Sequence, residues 1–425
     1  MIRKKRITPL LLTLGLSISM AFQIPAFAEE AGDTQSQENT ADPALTSSIS
    51  TNSIPGWPQG TDITSGAAVV MEDSTNTILY AKNIDQPLYP SSAVKIMTSL
   101  LALENSNLTD EVTMTATGVS GVTDGGVSIS AQLGEVFTME QCLYAIMVGS
   151  ANDIALQVAE HIGGSVEAFV ERMNTRAQEL GCTNTVFTNP TGLPDESQHT
   201  TAHDLALIVQ AAMKNDTFRA IAGTTSYTIP ATNVSGGERA LSSNFTMINP
   251  ASDAYYEGCI GGKEGFTQAS GSVLACEAQR NGMTLVCVVL YGASGQTDDE
   301  AITLLDYGFG NFQKMDMGAS DLHILSGGTV VAPIGTSKDS IETVDNPAED
   351  KINRQYLFGG VQIGSASVEI VREQDNSAVL ASEKNMQEAK SYTESHTNIP
   401  YYVIAGAGAL ILLLLLLKMI KIIRS

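Results

Sequence analysis

The sequence predicts an α/β chain, an α+β sandwich in which an antiparallel sheet is split around a helical block. Three observations carry this expectation. β-type runs at 67–71 and 77–81 flank Asp73-Ser74-Thr75-Asn76, which reads as a hairpin turn. Apolar residues at helical spacing (Val94, Met97, Leu100, Leu101) follow, and similar patterns recur downstream. Strand patterns then return at 271–278 and 284–291, joined through Arg280-Asn281-Gly282-Met283, whose Asn-Gly pair suits a tight two-residue hairpin loop. Strands, helices and returning strands of the same sheet imply one large unit over 62–313, long enough for a substantial core.

Taken in order, residues 29–61 are rich in Ser, Thr, Gln, Asn and acidic side chains, and read as a flexible tether. Pro90 and Ser91 open the first helix, because proline fits a helix start and serine a cap. Further helices are expected over 138–148, 151–162, 165–180 and 201–213. Across 320–381 the pattern changes to short strands at 329–332, 361–363 and 367–371, broken by Gly and Asp/Asn turns, so a small β-rich domain is expected. Residues 382–399 are polar and read as a stalk.

The two ends suggest a compartment. Residues 1–28 combine a basic start (Arg3, Lys4, Lys5, Arg6), an apolar run and Ala26-Phe27-Ala28, the pattern of a signal peptide with its cleavage site. Residues 400–420 read as a transmembrane helix, with Tyr401 and Tyr402 at one rim and Lys418, Lys421 and Arg424 at the other. An exported, membrane-anchored body with its catalytic domain facing the wall and a short cytoplasmic end is therefore expected.

The net charge of −23 argues against nucleic acid as a partner. Five cysteines, an odd number without metal-like spacing, imply no disulfide framework. His161, His199, His203, His323 and His396 form no paired metal motif, so neither a metal nor another cofactor is expected. Counting outward from the hairpin loop, Cys276 should face Cys287 at a hydrogen-bonded position. The wider Cα separation there disfavours a disulfide.

Three short motifs carry the chemistry: Ser92-Ala93-Val94-Lys95, Ser150-Ala151-Asn152 and Lys263-Glu264-Gly265. A Ser-x-x-Lys step on a helix puts both side chains on one face, so a lysine amine can take the serine proton if its pKa is depressed. Each motif alone is weak. Ser-x-Asn, for instance, also occurs at Ser50-Thr51-Asn52, Ser74-Thr75-Asn76 and Ser242-Ser243-Asn244. Their order and placement carry more weight: a helix start after a hairpin, a junction between helices, and a strand.

In that combination the chain resembles the serine-type D-alanyl-D-alanine carboxypeptidases, the low-molecular-mass penicillin-binding proteins. The block Tyr89-Pro90-Ser91-Ser92-Ala93-Val94-Lys95-Ile96-Met97-Thr98 carries the likeness. So do Ser150-Ala151-Asn152-Asp153, Asn189-Pro190-Thr191-Gly192-Leu193-Pro194, Thr201-Ala202-His203-Asp204 and Asp306-Tyr307-Gly308-Phe309.

The resemblance implies a β-lactamase/transpeptidase-like catalytic domain without cofactor. Ser92 would be the nucleophile, Lys95 the base and Ser150 the proton relay to the leaving D-alanine. Asn152 would hold the substrate's peptide carbonyl and Lys263 would face its terminal carboxylate, with Gly265 completing the third motif. The backbone N–H groups of Ser92 and Phe266 would form the oxyanion hole. Implied partners are peptidoglycan pentapeptides ending in D-Ala-D-Ala, with β-lactams as inhibitors.

One residue departs from the family pattern. Glu264 stands where Thr or Ser usually helps bind the carboxylate; it is expected to turn to solvent or pair with Lys263, leaving Thr267 to help, or else to alter specificity. A β-lactamase-like hydrolase and a non-catalytic wall-binding or penicillin-binding homologue are the alternatives.

Overall fold

The computed structural model describes residues 48–122, 126–318 and 324–369, with isolated positions at 384, 386–387, 410 and 412–418. The expected signal peptide (1–28), the first part of the tether, and nearly all of the stalk (382–399) and membrane helix (400–420) lie outside the described residues. Among the described residues no helix is long and apolar enough to cross a membrane.

A hairpin of β1 (Ala67–Glu72) and β2 (Ile78–Lys82) opens the fold, followed by α1 (Val94–Asn105). The small pair β3 (Glu111–Thr113) and β4 (Val136–Thr138) encloses the short helix α2 (Ala116–Ser120). The helical block continues with α3 (Met139–Met147), α4 (Asn152–Gly163), α5 (Val166–Glu179), α6 (Ala202–Met213) and α7 (Asp216–Ala222). Its boundaries follow local chemistry. Thr138 and Gln141 form a reciprocal capping box ahead of α3, Ser165 and Thr201 cap α5 and α6, and left-handed Gly164 ends α4.

After the ribbon of β5 (Ser226–Ile229) and β6 (Arg239–Ser242), the chain returns as β7 (Cys259–Thr267), β8 (Gly271–Arg280) and β9 (Met283–Gly292). The five-stranded sheet has the order β2-β1-β9-β8-β7, with every pairing antiparallel, so β7 is an edge strand. Both faces are covered, which is why β1 is buried at every position and its sequence is continuously apolar up to Glu72. Val69, Met71, Val273, Ala275, Val286 and Val288 pack against the helical block. Ala68, Val70, Leu274, Leu285 and Val289 pack on the other side with α8 (Thr297–Asn311).

Arg280 pairs with Met283 and Cys276 with Cys287, the register counted from the Asn281-Gly282 loop. Asn281 and Gly282 both have positive φ, as such a loop requires. All five cysteines are free thiols.

A second antiparallel sheet follows, built from β10 (Phe312–Asp316), β11 (Ile324–Pro333), β12 (Glu342–Pro347), β13 (Lys351–Phe358) and β14 (Val361–Glu369) in the order β10-β11-β14-β13-β12. Two details differ from expectation. The runs expected at 361–363 and from 367 onward belong, as far as the described residues reach at Glu369, to one strand, β14, and three strands, β10, β12 and β13, were not expected. β12 is exposed at every position and ends in proline, so it lacks the apolar alternation by which strands are read.

The tether over 29–61 needs a correction from residue 48 onward. Ile49 bridges to Lys82, Thr51 Oγ1 accepts from the Ala81 N–H at 3.3 Å, and residues Ser50–Ser53 form a 3₁₀ turn. Trp57 is 4% exposed, donates from Nε1 to the Leu79 carbonyl at 2.8 Å, and packs its ring on Phe312 and Phe358. One tryptophan thus staples the first hairpin to the second sheet. A polar-looking composition hid it because a single large aromatic buries as much apolar area as several smaller side chains.

Trp57→Ala should lower unfolding stability by about 3–5 kcal/mol, the usual loss for a buried aromatic. A urea titration followed by circular dichroism measures it; a midpoint unchanged from wild type would mean the segment is dispensable. Mass spectrometry after alkylation should find Cys276 and Cys287 unbridged.

Candidate active site

The site forms where three pieces of chain, remote in sequence, meet at the sheet edge. The first is the entry to α1. Pro90 precedes a 3₁₀ turn, Ser91–Ala93, which runs directly into the helix. Ser91 has φ +48°, a left-handed conformation that costs a non-glycine residue about 1 kcal/mol or more and persists only where its surroundings enforce it. Gly192 is part of that enforcement. It has φ +84°, and a Cβ there would lie 1.8 Å from the Ser91 carbonyl oxygen, so only glycine permits the approach.

Lys95 lies one turn beyond Ser92, with its Nζ 3.3 Å from the Ser92 Oγ. The lysine is 1% exposed, and its Nζ donates to the Thr191 carbonyl at 2.6 Å. Burial holds its pKa well below the usual lysine value, and the positive charge of Lys263 pushes it down further. An amine so placed gives up its proton more readily than an ordinary lysine. It keeps one hydrogen bond to protein and a lone pair for the serine proton.

The loop that supplies Thr191 is itself fixed. The Asn189 Oδ1 accepts from the N–H groups of Thr191 and Gly192 at 3.1 and 2.8 Å, and Thr98 Oγ1 donates to the Pro190 carbonyl at 2.7 Å.

The second piece is the junction between α3 and α4. Ser150 also has positive φ, +54°, and its Oγ lies 3.3 Å from the Ser92 Oγ. Asn152 begins α4 and is 3% exposed; its Oδ1 is buried and has no hydrogen-bond partner among the described residues. A buried amide oxygen left unpaired is costly, and a substrate N–H is the kind of group that satisfies it.

The third piece is β7. Gly265 passes so close to the nucleophile that a Cβ on it would sit 2.6 Å from the Ser92 backbone nitrogen. Lys263 is fully buried, with its Nζ 3.3 Å from both the Asn244 Oδ1 and the Glu264 backbone carbonyl. Burial lowers its pKa to about 8, and Glu264 works in the opposite direction.

Glu264 neither turns fully to solvent nor forms an ion pair with Lys263. Its side chain is half-buried and close enough to Asp298, in the first turn of α8, to feel its charge; the Lys263 amine meets the Glu264 carbonyl, not its carboxylate. Burial first, then Asp298, raise Glu264 to about 7, while Lys263 pulls it down. Phe266 is 61% exposed. The Thr267 hydroxyl pairs with Ser270 Oγ at 2.7 Å and accepts from the Ser270 N–H, which ties it into the β7–β8 turn.

The structure therefore brings Ser92, Lys95, Ser150 and Gly265 together, with Lys263 within electrostatic reach of Lys95. Three residues escaped the sequence reading. Thr191 lay inside a recognised block but acts through its backbone oxygen, which leaves no side-chain signature. Asn244 belongs to one of the Ser-x-Asn matches that looked accidental. Asp298 is a first-turn helix acid like many others.

A serine beside a buried lysine, a second serine within reach, and a glycine strand against the nucleophile's N–H define a serine acyltransferase site. Comparison with known proteins agrees. Residues 52–294, more than half of the chain, match the D-alanyl-D-alanine carboxypeptidase family, and the chain belongs to it.

It is 31% identical over 254 residues to the D-alanyl-D-alanine carboxypeptidase DacF of Bacillus subtilis, across 58% of this chain and 62% of that protein's length. It is 32% identical over 279 residues to DacB2 of Mycobacterium tuberculosis, across 63% of this chain and 87% of that one. A crystal structure of a D-alanyl-D-alanine carboxypeptidase from Mycobacterium tuberculosis superimposes with a TM-score of 0.55 at 29% identity, covering 60% of this chain and 95% of that one. Penicillin binding protein 6B of Escherichia coli, at 23% identity, shares the fold over 74% of this chain, with a TM-score of 0.61 and 98% of its own length covered.

Gly265→Ala should cut the rate of Ser92 acylation by at least about 100-fold, because a misplacement on the scale of an ångström has that effect in such sites. Stopped-flow acylation by a chromogenic β-lactam measures it, and a wild-type rate would show that β7 need not touch Ser92.

Proposed function

We propose that the chain is a serine-type D-alanyl-D-alanine carboxypeptidase that removes the terminal D-alanine from peptidoglycan stem peptides and is acylated by β-lactams. The observation that carries this reading is the amine of Lys95, buried and 3.3 Å from the Ser92 oxygen.

Lys95 takes the Ser92 proton as Oγ attacks the penultimate D-alanine carbonyl. Ser92 stands at a helix entry, where the dipole favours the negative charge that develops. The N–H groups of Ser92 and Phe266 receive the oxyanion, the role that family resemblance gives them. Ser150, 3.3 Å from the Ser92 oxygen, passes a proton to the departing amine. Asn152 holds the substrate's peptide carbonyl through its side-chain amide N–H, the role that family resemblance gives it, and Lys263 faces the terminal carboxylate. Water then releases the shortened peptide from Ser92.

The basic-apolar start at 1–28 and the apolar stretch at 400–420 support export and membrane anchoring with the site on the wall side. An intact Lys95–Ser92–Ser150 arrangement argues against a non-catalytic role.

Ser92→Ala should abolish covalent labelling by fluorescent penicillin and D-alanine release from a D-Ala-D-Ala peptide, a loss of about 10⁴-fold or more. Adduct mapping to another serine would refute the assignment. Lys95→Arg should be nearly as damaging, since arginine keeps the charge but does not give up its proton. Labelling at wild-type speed in that variant would reduce Lys95 to an electrostatic part.

A further inference from the structure

At the end of the sheet away from Ser92, a cavity of about 410 Å³ opens between strands and helices. On β8, Val273 and Ala275 pack against the helical block, and Glu277 follows two residues further along on the same face. Glu277 pairs with Gly261 of β7, whereas the strand reaches Ser92 at Gly265. At about 3.3 Å per residue, those two points on β7 lie roughly 13 Å apart.

Polar residues line the cavity where the apolar stripes of the sheet end. Thr284 precedes Val286 and Val288 on one face of β9, and Asp73, directly after β1, donates its N–H to the Thr284 carbonyl at 2.9 Å. The order β1-β9-β8 thus sets Asp73, Thr284 and Glu277 side by side as a floor. The opposite wall comes from the helices: Lys214 follows the last turn of α6, and Arg219 stands on α7.

Two acceptors in this floor lack donors. Glu277 is 4% exposed, yet its carboxyl group has no hydrogen-bond or ion-pair partner among the described residues. The Oδ1 of Asp73 is buried and likewise unpaired among them. Carboxyl oxygens withdrawn from water without donors are costly to keep. Cations stand near without closing the gap. Lys214 is exposed and makes no ion pair among the described residues, while Arg219 is engaged by the Met213 carbonyl and by Asp216. Both act on Glu277 and Asp73 through space. Lys314, which also acts on Asp73, is bound to Glu72 at 2.8 Å. Opposite charges therefore face one another across the cavity without touching.

We infer that this cavity binds a small zwitterion of amino-acid size, whose ammonium group donates to Glu277 and Asp73 and whose carboxylate meets Lys214 and Arg219. Such a ligand supplies the missing donors and spans the gap. A simple cation would meet the repulsion of Lys214 and Arg219, and a simple anion that of the two carboxylates. The volume falls in the range of about 300–1,000 Å³ typical of small-molecule sites. The site is separate from Ser92 and does not depend on the carboxypeptidase reading.

A pH signature follows. Burial, then Asp73, raise Glu277 to about 7, while Arg219 and Lys214 pull it down. Glu277 is mostly neutral at pH 6 and largely ionised at pH 7.5, so an ammonium group binds more tightly as pH rises through that interval.

The test titrates the full chain in detergent with glycine and with 4-aminobutyrate, whose charges are further apart, and follows binding by saturation-transfer NMR. Methylamine and propionate serve as single-charge controls. At least one zwitterion should bind at least about tenfold more tightly than either control, and at least about fourfold more tightly at pH 7.5 than at pH 6. Glu277→Gln should weaken that binding at least about tenfold and abolish its pH dependence. Lys214→Ala, a change at an exposed position, should weaken it at least about threefold, so the proposal stays testable if the buried variant does not fold. No saturable binding of either zwitterion below about 10 mM overturns the proposal. So does binding that is unchanged in Lys214→Ala, or in a Glu277→Gln protein with wild-type circular dichroism.

Discussion

The chemistry of this chain depends on keeping one amine out of water. A protonated lysine removed from solvent without a counter-ion costs several kcal/mol, so burial shifts Lys95 strongly toward its neutral form. Two structural facts maintain that state. The side chain is 1% exposed within the helical block, and the nearest charge that acts on it is another cation, Lys263. A carboxylate in that position would restore the ammonium and remove the base. Thr191 offers only a neutral carbonyl, which orients the amine without charging it.

That requirement explains much of the surrounding architecture. β1 is buried on both faces, between the helical block and α8, and α1 lies inside that block with Lys95 buried on it. β7 must be an edge strand so that its backbone can come up beside Ser92, and Gly265 must lack a side chain for the approach to close. Ser91 and Ser150, both left-handed, are held in strained conformations at the two turns that aim hydroxyl groups at one point. The strain is local, and Gly192 and the Asn189 loop offset it by closing around the turn.

Much of the fold was legible in the sequence because its signals were local. The Asn281-Gly282 loop fixed the pairing of Cys276 with Cys287 by counting alone. The helices from α3 to α6 were legible from spacing and caps to within one residue at each end. Ser92 and Lys95 were legible because three residues on a helix is a contact in itself. What escaped depends on long-range packing. Trp57 reaches Phe312 and Phe358, Asn244 reaches Lys263 across a loop, and the charge of Asp298 acts on Glu264 from the first turn of α8. Strand β12 has no apolar face to announce it.

The most direct test of the account is the charge on Lys95. In the Ser92→Ala protein, with lysines labelled at the ε-carbon and Lys95 assigned by its absence in a Lys95→Arg partner, NMR titration reports that charge. The account predicts a neutral amine at pH 7, titrating well below the ordinary lysine value of 10.5. A Lys95 that remains an ammonium at pH 7 and titrates with the surface lysines would contradict it.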